Sequence, residues 1–537
     1  MKSTTKSLAI ATYLLMLMGS LSSVAAPTSS PKPPAGLTVR AWSTVDFVDL
    51  VRQSKASCTV VNSLIQCSGR LQLDHLSYMR IRGNAAQLVF SNLEPAEGGL
   101  VLNGAANVTL SNLQIGWVSG GATDPSVPNA LRIQSLGKVV ACSNAQSGGA
   151  LATDLPLQGS MPLAAVSVWD DVLGWPWAAG APNIEEVFLP SGSSVRFASG
   201  RSSCVSQLAP LVGRRVLVRH IIMASHAFDC LNCQNVTVEG VNVTSAPGMA
   251  FVFENGGSHL TLRNNSVAPA CAPSCKAAEP SVTSDAAHFA AVGSDLDVEG
   301  NDFGWNGDDS LNVTGLMMPA TLEASGHSPW LQIDPQWAAR VSQLSVGCKV
   351  LIFDQGLALQ GSSSVVGVDE NNARVQLAAV PPTMSEFVLV RTDRMPANIT
   401  VRGNHFHDHR ARGILMGGSD SRIIGNVIER VTMEAILVDA DSDQWYEGPG
   451  AQHVVISGNE ISNVNRYPDM ANYPSAISAA VVMPRGYTGP VGTPIQDVQV
   501  SGNTFLDVLT GAAAPTFFGE GVAAQANQVA AEVNQEK

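Results

Sequence analysis

Two nearby stretches decide the fold of this chain: NVTVEGVNV (Asn235–Val243) and, 24 residues further on, HLTLRNNSV (His259–Val267). In each copy apolar and polar residues alternate, a Gly or Asn corner follows, and an apolar residue resumes the pattern. Alternation predicts a β-strand with one buried face. Glycine and asparagine tolerate the left-handed backbone that a sharp corner needs. A repeat of this length predicts one coil of a parallel β-helix.

The same pattern recurs along most of the chain. Further copies occupy 107–115, 295–303, 398–406, 453–461 and 497–505, and a degraded copy occupies 421–428. A single coil cannot bury its inner face, so stacked coils must close the core. We therefore predict an all-β protein whose interior holds columns of Val, Ile, Leu and Phe. The corner asparagines are expected to form a ladder of their own.

Two stretches depart from the repeat, and each contains about five strands separated by tight turns. We predict that both are small antiparallel β-barrels inserted between coils, at 116–213 and 316–394. They divide the β-helix into coils at 27–115, 214–315 and 395–518. The last segment, 519–537, is expected to be a frayed tail or a short helix.

Composition and the first residues restrict the function. Only 14% of the 537 residues are charged, the formal net charge is −13, and no basic patch stands out, which argues against a nucleic-acid partner. Residues 1–26 combine Lys2 and Lys6, a short apolar run and small residues up to Ala26, which is typical of a cleaved signal peptide. We expect a secreted or cell-wall glycoprotein without a membrane anchor after cleavage. Six glycosylation sequons begin at Asn107, Asn235, Asn242, Asn264, Asn312 and Asn398.

The nine cysteines suit an oxidising compartment. Two local disulfides are plausible, Cys58 with Cys67 and Cys271 with Cys275. Cys230 and Cys233 form a C-x-x-C that could instead be a redox or zinc motif, but no second pair accompanies it. An odd count leaves at least one thiol unpaired within the chain.

Three carboxylates bracket one copy of the repeat. Asp285 precedes the Asp308-Asp309 doublet by 23 residues, about one coil, and equivalent positions on adjacent coils lie about 4.8 Å apart. The three side chains should therefore meet on one face. Repulsion between three adjacent carboxylates makes ionisation of all of them unfavourable, so the pKa of at least one should rise. A protonated carboxyl beside an ionised one is the arrangement that glycosidic cleavage requires. Turn residues and a calcium site are the alternatives.

Five motifs give the chain a resemblance to a known family. In order they are APGM (246–249), TSDAAHF (283–289), GDDSLNV (307–313), RARGIL (410–415) and AILV followed by WYE (435–438 and 445–447). Together they resemble glycoside hydrolase family 110, which comprises inverting exo-acting α-1,3-galactosidases. The resemblance covers about residues 100–470 and implies a right-handed, pectin-lyase-like parallel β-helix with barrel insertions.

The resemblance also implies roles for the aspartates. Asp308 would be the general acid, and Asp285 and Asp309 would share the role of general base. For inversion the acid and base carboxyls should lie about 6.5–9.5 Å apart. Polygalacturonases share a similar aspartate spacing, but their downstream histidine and basic signatures are not evident here.

Six further residues in these motifs are candidate contacts to sugar: His288, Asn312, Arg410, Arg412, Trp445 and Glu447. Structural alternatives stand beside each, such as a satisfied histidine, surface ion pairs or a capping tryptophan. Thr314 stands where the family usually has histidine, a change that could shift specificity or mark a decayed enzyme. It also creates the Asn312 sequon.

We expect no cofactor and no metal. The histidine-rich run from His405 to Arg410 suggests a metal site, but we expect alternation to separate His405 from His407 and His409, and no further ligand is evident.

The sequence therefore predicts an inverting α-galactosidase acting on an oligosaccharide or polysaccharide with terminal galactose. One rival is a polygalacturonase-like or lyase activity on acidic polysaccharide, which would need a basic cleft. The other is a non-catalytic β-helix that binds glycans. The sequence does not decide the oligomeric state, and a homodimer formed through the insertions is one alternative.

Overall fold

The structure is a computed structural model. It describes residues 42–54, 56–91, 99–117, 225–270, 280–323, 330–382, 384–443, 445–465, 475–484 and 486–506, together with short strand segments between 134 and 219 and beyond 507. The signal peptide predicted at 1–26 and the pair Cys271 and Cys275 lie outside the described residues.

Coils of the repeat stack into a parallel β-helix, as predicted, and each coil contributes to three sheets. Sheet I is formed by Leu71–Asp74, Leu100–Asn103, residues 228–231 and 251–254, Ala287–Ala290, Leu311–Thr314, Ile414–Met416, Ile436–Asp441, Ile477–Val482 and Thr516–Phe517.

Sheet II follows sheet I along each coil. It is formed by Ser43–Asp46, residues 77–82, 106–111, 234–239 and 260–263, Ser294–Glu299, Ala397–Arg402, Ser419–Ile424, Gln452–Ser457, Gln496–Ser501 and Ala523–Gln525.

Sheet III closes the coil. It is formed by Leu64–Cys67, residues 86–90 and 113–117, Asn242–Val243, Ser266–Val267, Asp302–Gly304, His405–His409, Val427–Val431, Glu460–Ser462, Thr504–Leu506 and Gln528–Val529.

The inner faces of the three sheets form one apolar core along the helix. Within it the rings of Phe253 and Phe289, one coil apart, stack with centroids 4.5 Å apart, and Phe303 contacts both Phe251 and Phe406. Because inward and outward positions alternate, residues 287 and 289 face the core while 288 and 290 face outward. The outer face of sheet I carries the polar residues of the site.

The predicted asparagine ladder is confirmed at the corner between sheets II and III. Its members are Asn265, Asn301, Asn404, Asn426, Asn459 and Asn503, all buried. Each of the first five donates both its main-chain N–H (2.9–3.0 Å) and its side-chain NH₂ (2.8–3.0 Å) to the Oδ1 atom of the next. At this corner the chain turns, and strand pairing cannot supply partners for the buried main-chain N–H groups. The asparagine side chains of the ladder supply them instead.

The second insertion is a closed six-stranded antiparallel barrel, as predicted. Around the barrel the order is Met317–Leu322, Trp330–Ile333, Arg374–Leu377, Leu359–Asp369, Lys349–Phe353 and Glu386–Arg391. The 3-10 helices Pro335–Gln343 and Glu370–Asn372 connect its strands, and Thr392–Arg394 leads from its last strand to the β-helix strand Ala397–Arg402. It has its own apolar core, separate from that of the β-helix.

The first insertion contains a six-stranded antiparallel sheet in the order Ala165–Val168, Arg215–Arg219, Gln134–Ala145, Gly148–Thr153, Ser194–Phe197 and Val187–Ser191. Arg215–Arg219 pairs antiparallel with two strands of this sheet. It was assigned to the β-helix by the predicted boundary at 213, so the insertion extends further than predicted. The sequence of Arg215–Arg219 alternates in the same way as a strand of the β-helix, and only its antiparallel pairing partners show that it belongs to the insertion.

The N-terminal end of the β-helix is covered by an α-helix, Phe47–Gln53, whose first turn is capped by Asp46. Its residues Phe47 and Val51 pack against the apolar core of the first coil. The disulfide between Cys58 and Cys67 is present and links the antiparallel strands Cys58–Val61 and Leu64–Cys67. Cys230 and Cys233 are joined to each other in a disulfide, so their thiols are not available as zinc ligands in this structure.

The C-terminal tail adds a further partial coil. Ala523–Gln525 and Gln528–Val529 pair in parallel with sheets II and III, and Val508–Leu509 pairs with Glu532–Val533. The prediction of a frayed tail or short helix was therefore wrong for these segments, because their alanine-rich sequence obscured the alternation. In the part of the chain that the structure describes, we find no helix with the length and apolarity to cross a bilayer.

Candidate active site

The three aspartates meet at the edge of sheet I. Asp285 precedes Ala287–Ala290, and Asp308 and Asp309 precede Leu311–Thr314 on the next coil. One carboxylate oxygen from each lies within 4.8 Å of the others. Ala287 pairs with Leu311, so Asp309, 24 residues away, stands directly over Asp285. Asp308 lies beside this column, where 29% of its side chain is exposed.

Asp285 is buried and accepts hydrogen bonds on both oxygens. The main-chain N–H of Asp309 donates to Oδ1 at 3.2 Å, and His288 Nδ1 donates to Oδ2 at 2.8 Å. His288 faces outward on the adjoining strand and is 7% exposed. Burial alone would lower the pKa of His288, but the hydrogen bond and charge of Asp285 outweigh it and raise that pKa to about 9. Asp285 therefore faces an imidazolium at neutral pH.

Two arginines on the following coil hold the doublet. Arg410 donates from Nη1 to Asp308 Oδ1 at 2.9 Å, and the main-chain N–H of Arg412 donates to Asp309 Oδ1 at 2.8 Å. The Arg412 guanidinium also lies 3.3 Å from Asp309 Oδ2 and 3.8 Å from Glu434, which is fully buried. Asp285, Asp309, Arg412 and Glu434 thus form a column of ionisable side chains across four coils, in which Arg412 lies between the carboxyls of Asp309 and Glu434.

Burial raises the pKa of both doublet carboxyls. For Asp308 the charges of Asp309 and Asp285 add to burial, and its pKa rises well above the ordinary value against the opposing charges of Arg219 and Arg412. Burial raises the pKa of Asp309 to about 7, opposed by the charge of Arg412. The predicted rise of at least one carboxyl pKa is confirmed, and one carboxyl can hold a proton beside others that accept one.

Arg219, which the sequence analysis missed, lies beneath the doublet. It ends a strand of the first insertion, is 1% exposed, and donates from Nη1 to the carbonyls of Thr283 (3.0 Å) and Gly307 (3.1 Å). Its Nε and Nη2 atoms have no hydrogen-bond partner among the described residues. An arginine in the apolar run VLVRH was the available signal, because buried arginines need partners.

The loop that carries Trp445 and Glu447 approaches the site from the side of the barrel. Asn312, 5% exposed on the same face as His288, donates to Glu447 Oε2 at 3.4 Å. Burial, with Asp285 adding to it, raises the pKa of Glu447. Arg340 of the barrel donates to the carbonyls of Trp445 and Tyr446, which anchors the loop. Trp445 is 48% exposed.

Thr314, the departure from the family pattern, lies on the outer face two residues beyond Asn312 and is 2% exposed. Its hydroxyl donates to the neighbouring carbonyl of Gly315 at 2.9 Å. A histidine there would project from the same face, so the substitution changes the wall of the site and leaves the aspartates in place.

The histidine-rich run was interpreted wrongly in one respect. His405 and His407 share the outer face of sheet III, and their rings stack with centroids 4.2 Å apart. Asp408 has a left-handed backbone (φ 50°), which breaks the alternation and turns His409 inward. His409 Nδ1 donates to the carbonyls of Arg410 and Asp308, at 2.7 and 3.2 Å. His409 therefore supports the active-site backbone.

Three carboxylates this close could also hold a cation. Their oxygens are already engaged, however: both of Asp285 by His288 and the N–H of Asp309, one of Asp308 by Arg410, and both of Asp309 by Arg412. A cation would have to displace these donors, and the donor set suits acid–base chemistry better.

Acidic groups predominate around the doublet in the described residues. Glu434, Asp439 and Glu447 add three carboxyls to the aspartates, and burial raises the pKa of Asp439 to about 8 against the charge of Arg412. The arginines within reach are buried and engaged by carboxylates or carbonyls. The outer face of sheet I is therefore not a basic groove. A separate cavity of about 320 Å³ lies between barrel and β-helix beside Tyr446, and none of the three aspartates lines it.

Comparison with known proteins gives one distant relative. No protein-family model matches the sequence. Alpha-1,3-galactosidase A of Bacteroides fragilis (strain YCH46) is 22% identical over 267 residues, which are 48% of this chain and 43% of that protein. The match thus spans less than half the length of the relative.

Solved structures with low overall similarity include the A-module of the mannuronan C-5 epimerase AlgE6 of Azotobacter vinelandii, with 10% identity, coverage of 91% of this chain and 93% of that one, and a TM-score of 0.33. A polygalacturonase from Erwinia carotovora ssp. carotovora has 10% identity, coverage of 96% and 100%, and a TM-score of 0.35. At such scores the fold rests on the strand pairing of this chain itself. The resemblance to the galactosidase family is thus supported by a weak homology, to alpha-1,3-galactosidase A, over about half of this chain.

Proposed function

We propose that the protein is a glycoside hydrolase that removes terminal α-linked galactose from glycans. The observation that carries the proposal is the cluster of Asp285, Asp308 and Asp309, in which carboxyls of raised pKa lie beside a carboxylate held by an imidazolium. The distant similarity to alpha-1,3-galactosidase A supports galactose as the sugar.

In this mechanism Asp308 is the general acid. It is the most exposed of the three, and its raised pKa favours the protonated form, which can transfer a proton to the glycosidic oxygen as the bond to the anomeric carbon breaks. Water adds to that carbon, and the proton that it loses passes to Asp285 or Asp309. Arg410 holds Asp308 in place and stabilises the carboxylate left after proton transfer.

The remaining question is whether the configuration at the anomeric carbon is inverted or retained. The nearest carboxylate oxygens lie within 4.8 Å of one another, closer than the spacing of about 6.5–9.5 Å expected for inversion. The spacing therefore does not support inversion, which rests on the family resemblance alone. Proton NMR of the first-formed sugar tests it: β-galactose from an α-galactoside indicates inversion, and α-galactose indicates retention.

The charge around the doublet favours a neutral sugar over an acidic polysaccharide. A uronate would need cations free to pair with its carboxylate, whereas Arg410 and Arg412 already pair with Asp308 and Asp309.

The proposal is tested by comparing wild type with Asp308→Asn on a chromogenic α-galactoside and a panel of α-1,3-galactosyl oligosaccharides. Loss of a general acid lowers kcat by about 10²–10⁴-fold. The control is Asp297→Asn, the same change on the outer face of sheet II, which should retain wild-type activity. Equal activity of wild type and Asp308→Asn, or none from wild type on any α-galactoside, rejects the proposal and favours a non-catalytic glycan-binding protein.

A further inference from the structure

A second cluster of ionisable groups lies on the outer face of sheet III, away from the three aspartates. Asp302 pairs in register with His405, and Gly304 with His407, on adjacent coils. His405 Nδ1 lies 2.9 Å and His407 Nε2 3.2 Å from the same oxygen, Asp302 Oδ1. One donor atom from each residue lies within 4.8 Å of the others.

These distances suit a tetrahedral cation. Zinc with ligand bonds of about 2.0–2.1 Å places neighbouring ligand atoms about 3.3 Å apart. Both separations from Asp302 Oδ1 are within a few tenths of an ångström of that value. The side chains of Asp302 and His405 are 58% and 40% exposed, so an ion could enter and keep water as a further ligand.

The remaining nitrogen of each imidazole is held by a carboxylate. His405 Nε2 lies 3.1 Å from Glu429, and His407 Nδ1 lies 2.8 Å from Asp408. Arg430 binds both carboxylates, at 2.7 Å from Glu429 and 2.6 Å from Asp408. Metal-binding histidines almost always donate their second N–H to such a group, which fixes the ring and its tautomer.

Two more features fit a built site. A Cβ atom at Gly304 would lie 2.6 Å from the His407 ring, so a glycine is needed at this position to admit the imidazole. Asp302, Asp408 and Glu429 carry three negative charges against the single positive charge of Arg430. A bound ion requires both imidazoles to be neutral, and it would then offset this excess of negative charge.

We propose that Asp302, His405 and His407 form a binding site for a divalent transition cation, with Zn²⁺ as the ion that best suits the ligands. The nitrogen and oxygen donors exclude a preference for Ca²⁺ or Mg²⁺, which take oxygen ligands. The ion would link the coil of Asp302 to the strand His405–His409, which leads into Arg410, and so stabilise that part of the β-helix. The site is independent of the function proposed above.

The test is calorimetric titration of Zn²⁺ into the full chain, stripped with a chelator and carrying no histidine tag. We expect one saturable site in wild type, with affinity reduced at least about tenfold in His405→Ala and in His407→Ala, the loss expected when a metal ligand is removed. His453→Ala is the matched control, since His453 is an exposed histidine paired with a single carboxylate, Asp420, and its loss should not change binding.

Asp302→Asn replaces the test variants if a histidine variant fails to fold, because it changes an exposed side chain without changing its size. This variant too should weaken Zn²⁺ binding at least about tenfold. Asp308→Asn separates this site from the aspartate cluster and should bind Zn²⁺ as wild type does. Absence of saturable binding in wild type overturns the proposal, as does binding that survives in His405→Ala, His407→Ala and Asp302→Asn, or that is lost in Asp308→Asn.

Discussion

The main-chain N–H of Asp309 donates to Oδ1 of Asp285, 3.2 Å away on the preceding coil. This bond ties the chemistry to the register of the β-helix, because the distance between the two carboxyls is set by the stacking of coils. Arg412 and Glu434 continue the same column on the next two coils. The site is therefore built from four successive coils, each contributing the residue two positions before its strand in sheet I.

The raised pKa of Asp309 predicts a pH dependence of stability. In the unfolded chain this carboxyl loses its proton near its ordinary pKa of 3.8, whereas in the folded protein it keeps the proton up to about pH 7. The folded state binds more protons in this window, so the contribution to stability is full below about pH 4 and is lost as the pH rises to about 7. Asp309→Asn should flatten the fall in Tm across that window. Differential scanning calorimetry at several pH values measures it.

The control for that experiment is Asp420→Asn, because the side chain of Asp420 is 62% exposed. This variant should keep the wild-type curve. A Tm that falls from pH 4 to pH 7 as steeply in Asp309→Asn as in wild type would contradict the assignment of a raised pKa to Asp309.

Arg412 is expected to be far more important for stability than a similar arginine on the surface. Arg412→Gln removes the guanidinium that pairs with Asp309 and with the fully buried Glu434, and breaking such a buried pair should cost about 3–5 kcal/mol of the free energy of unfolding. Arg402→Gln breaks a comparable pair between coils, with Glu299, but there the side chains are 53% and 37% exposed and the cost should stay below about 1 kcal/mol. Urea unfolding of both variants measures the difference, and equal costs would contradict the burial of the column.

The asparagine ladder gives a prediction independent of the active site. Asn404→Ala removes the acceptor for the main-chain N–H and the side-chain NH₂ of Asn301, and it also removes the bond to the carbonyl of Val298. Buried donors left without partners should cost about 2–4 kcal/mol of the free energy of unfolding.

Asn242→Ala is the control for the ladder, since Asn242 is exposed and its side chain accepts a single bond from Ser266. Its cost should remain within about 0.5 kcal/mol. Chemical unfolding of both variants, followed by far-UV circular dichroism, measures the contrast. A result in which Asn404→Ala is no more costly than Asn242→Ala would show that the ladder does not stabilise the corner.

The repeat could be predicted from sequence because alternation, corner and length are all local. Asn301 and Asn404 sit in recognisable copies of the pattern, so their place in a ladder followed from stacking alone. The aspartate cluster was predictable for the same reason: the spacing of Asp285 and Asp309 matches one coil. Even so, the in-register partner of Asp285 is Asp309, which only the strand pairing of Ala287 with Leu311 reveals.

Residues brought to the site by the insertions could not be predicted in this way. Arg219 arrives from a strand 64 residues before Thr283, and Arg340 anchors the loop of Trp445 from the barrel. No repeat spacing connects either of them to the aspartates. The third failure was local: strict alternation places His405 and His407 on the same face, and the left-handed backbone of Asp408 then turns His409 inward.

Glycosylation provides a last test of the site, through the sequon that Thr314 creates. Asn312 is 5% exposed and its NH₂ donates to Glu447, so a glycan there could not be accommodated in the folded protein. When the protein is expressed through a eukaryotic secretory pathway, the folded and secreted fraction should carry no glycan on Asn312. Peptide mass spectrometry after enzymatic deglycosylation in heavy water reports this directly. Asn242 is the comparison, because it is exposed on the surface and can carry a glycan without disturbing the fold. A folded, secreted protein with Asn312 occupied would mean that the outer face of sheet I beside His288 is covered, and it would remove the active site proposed there.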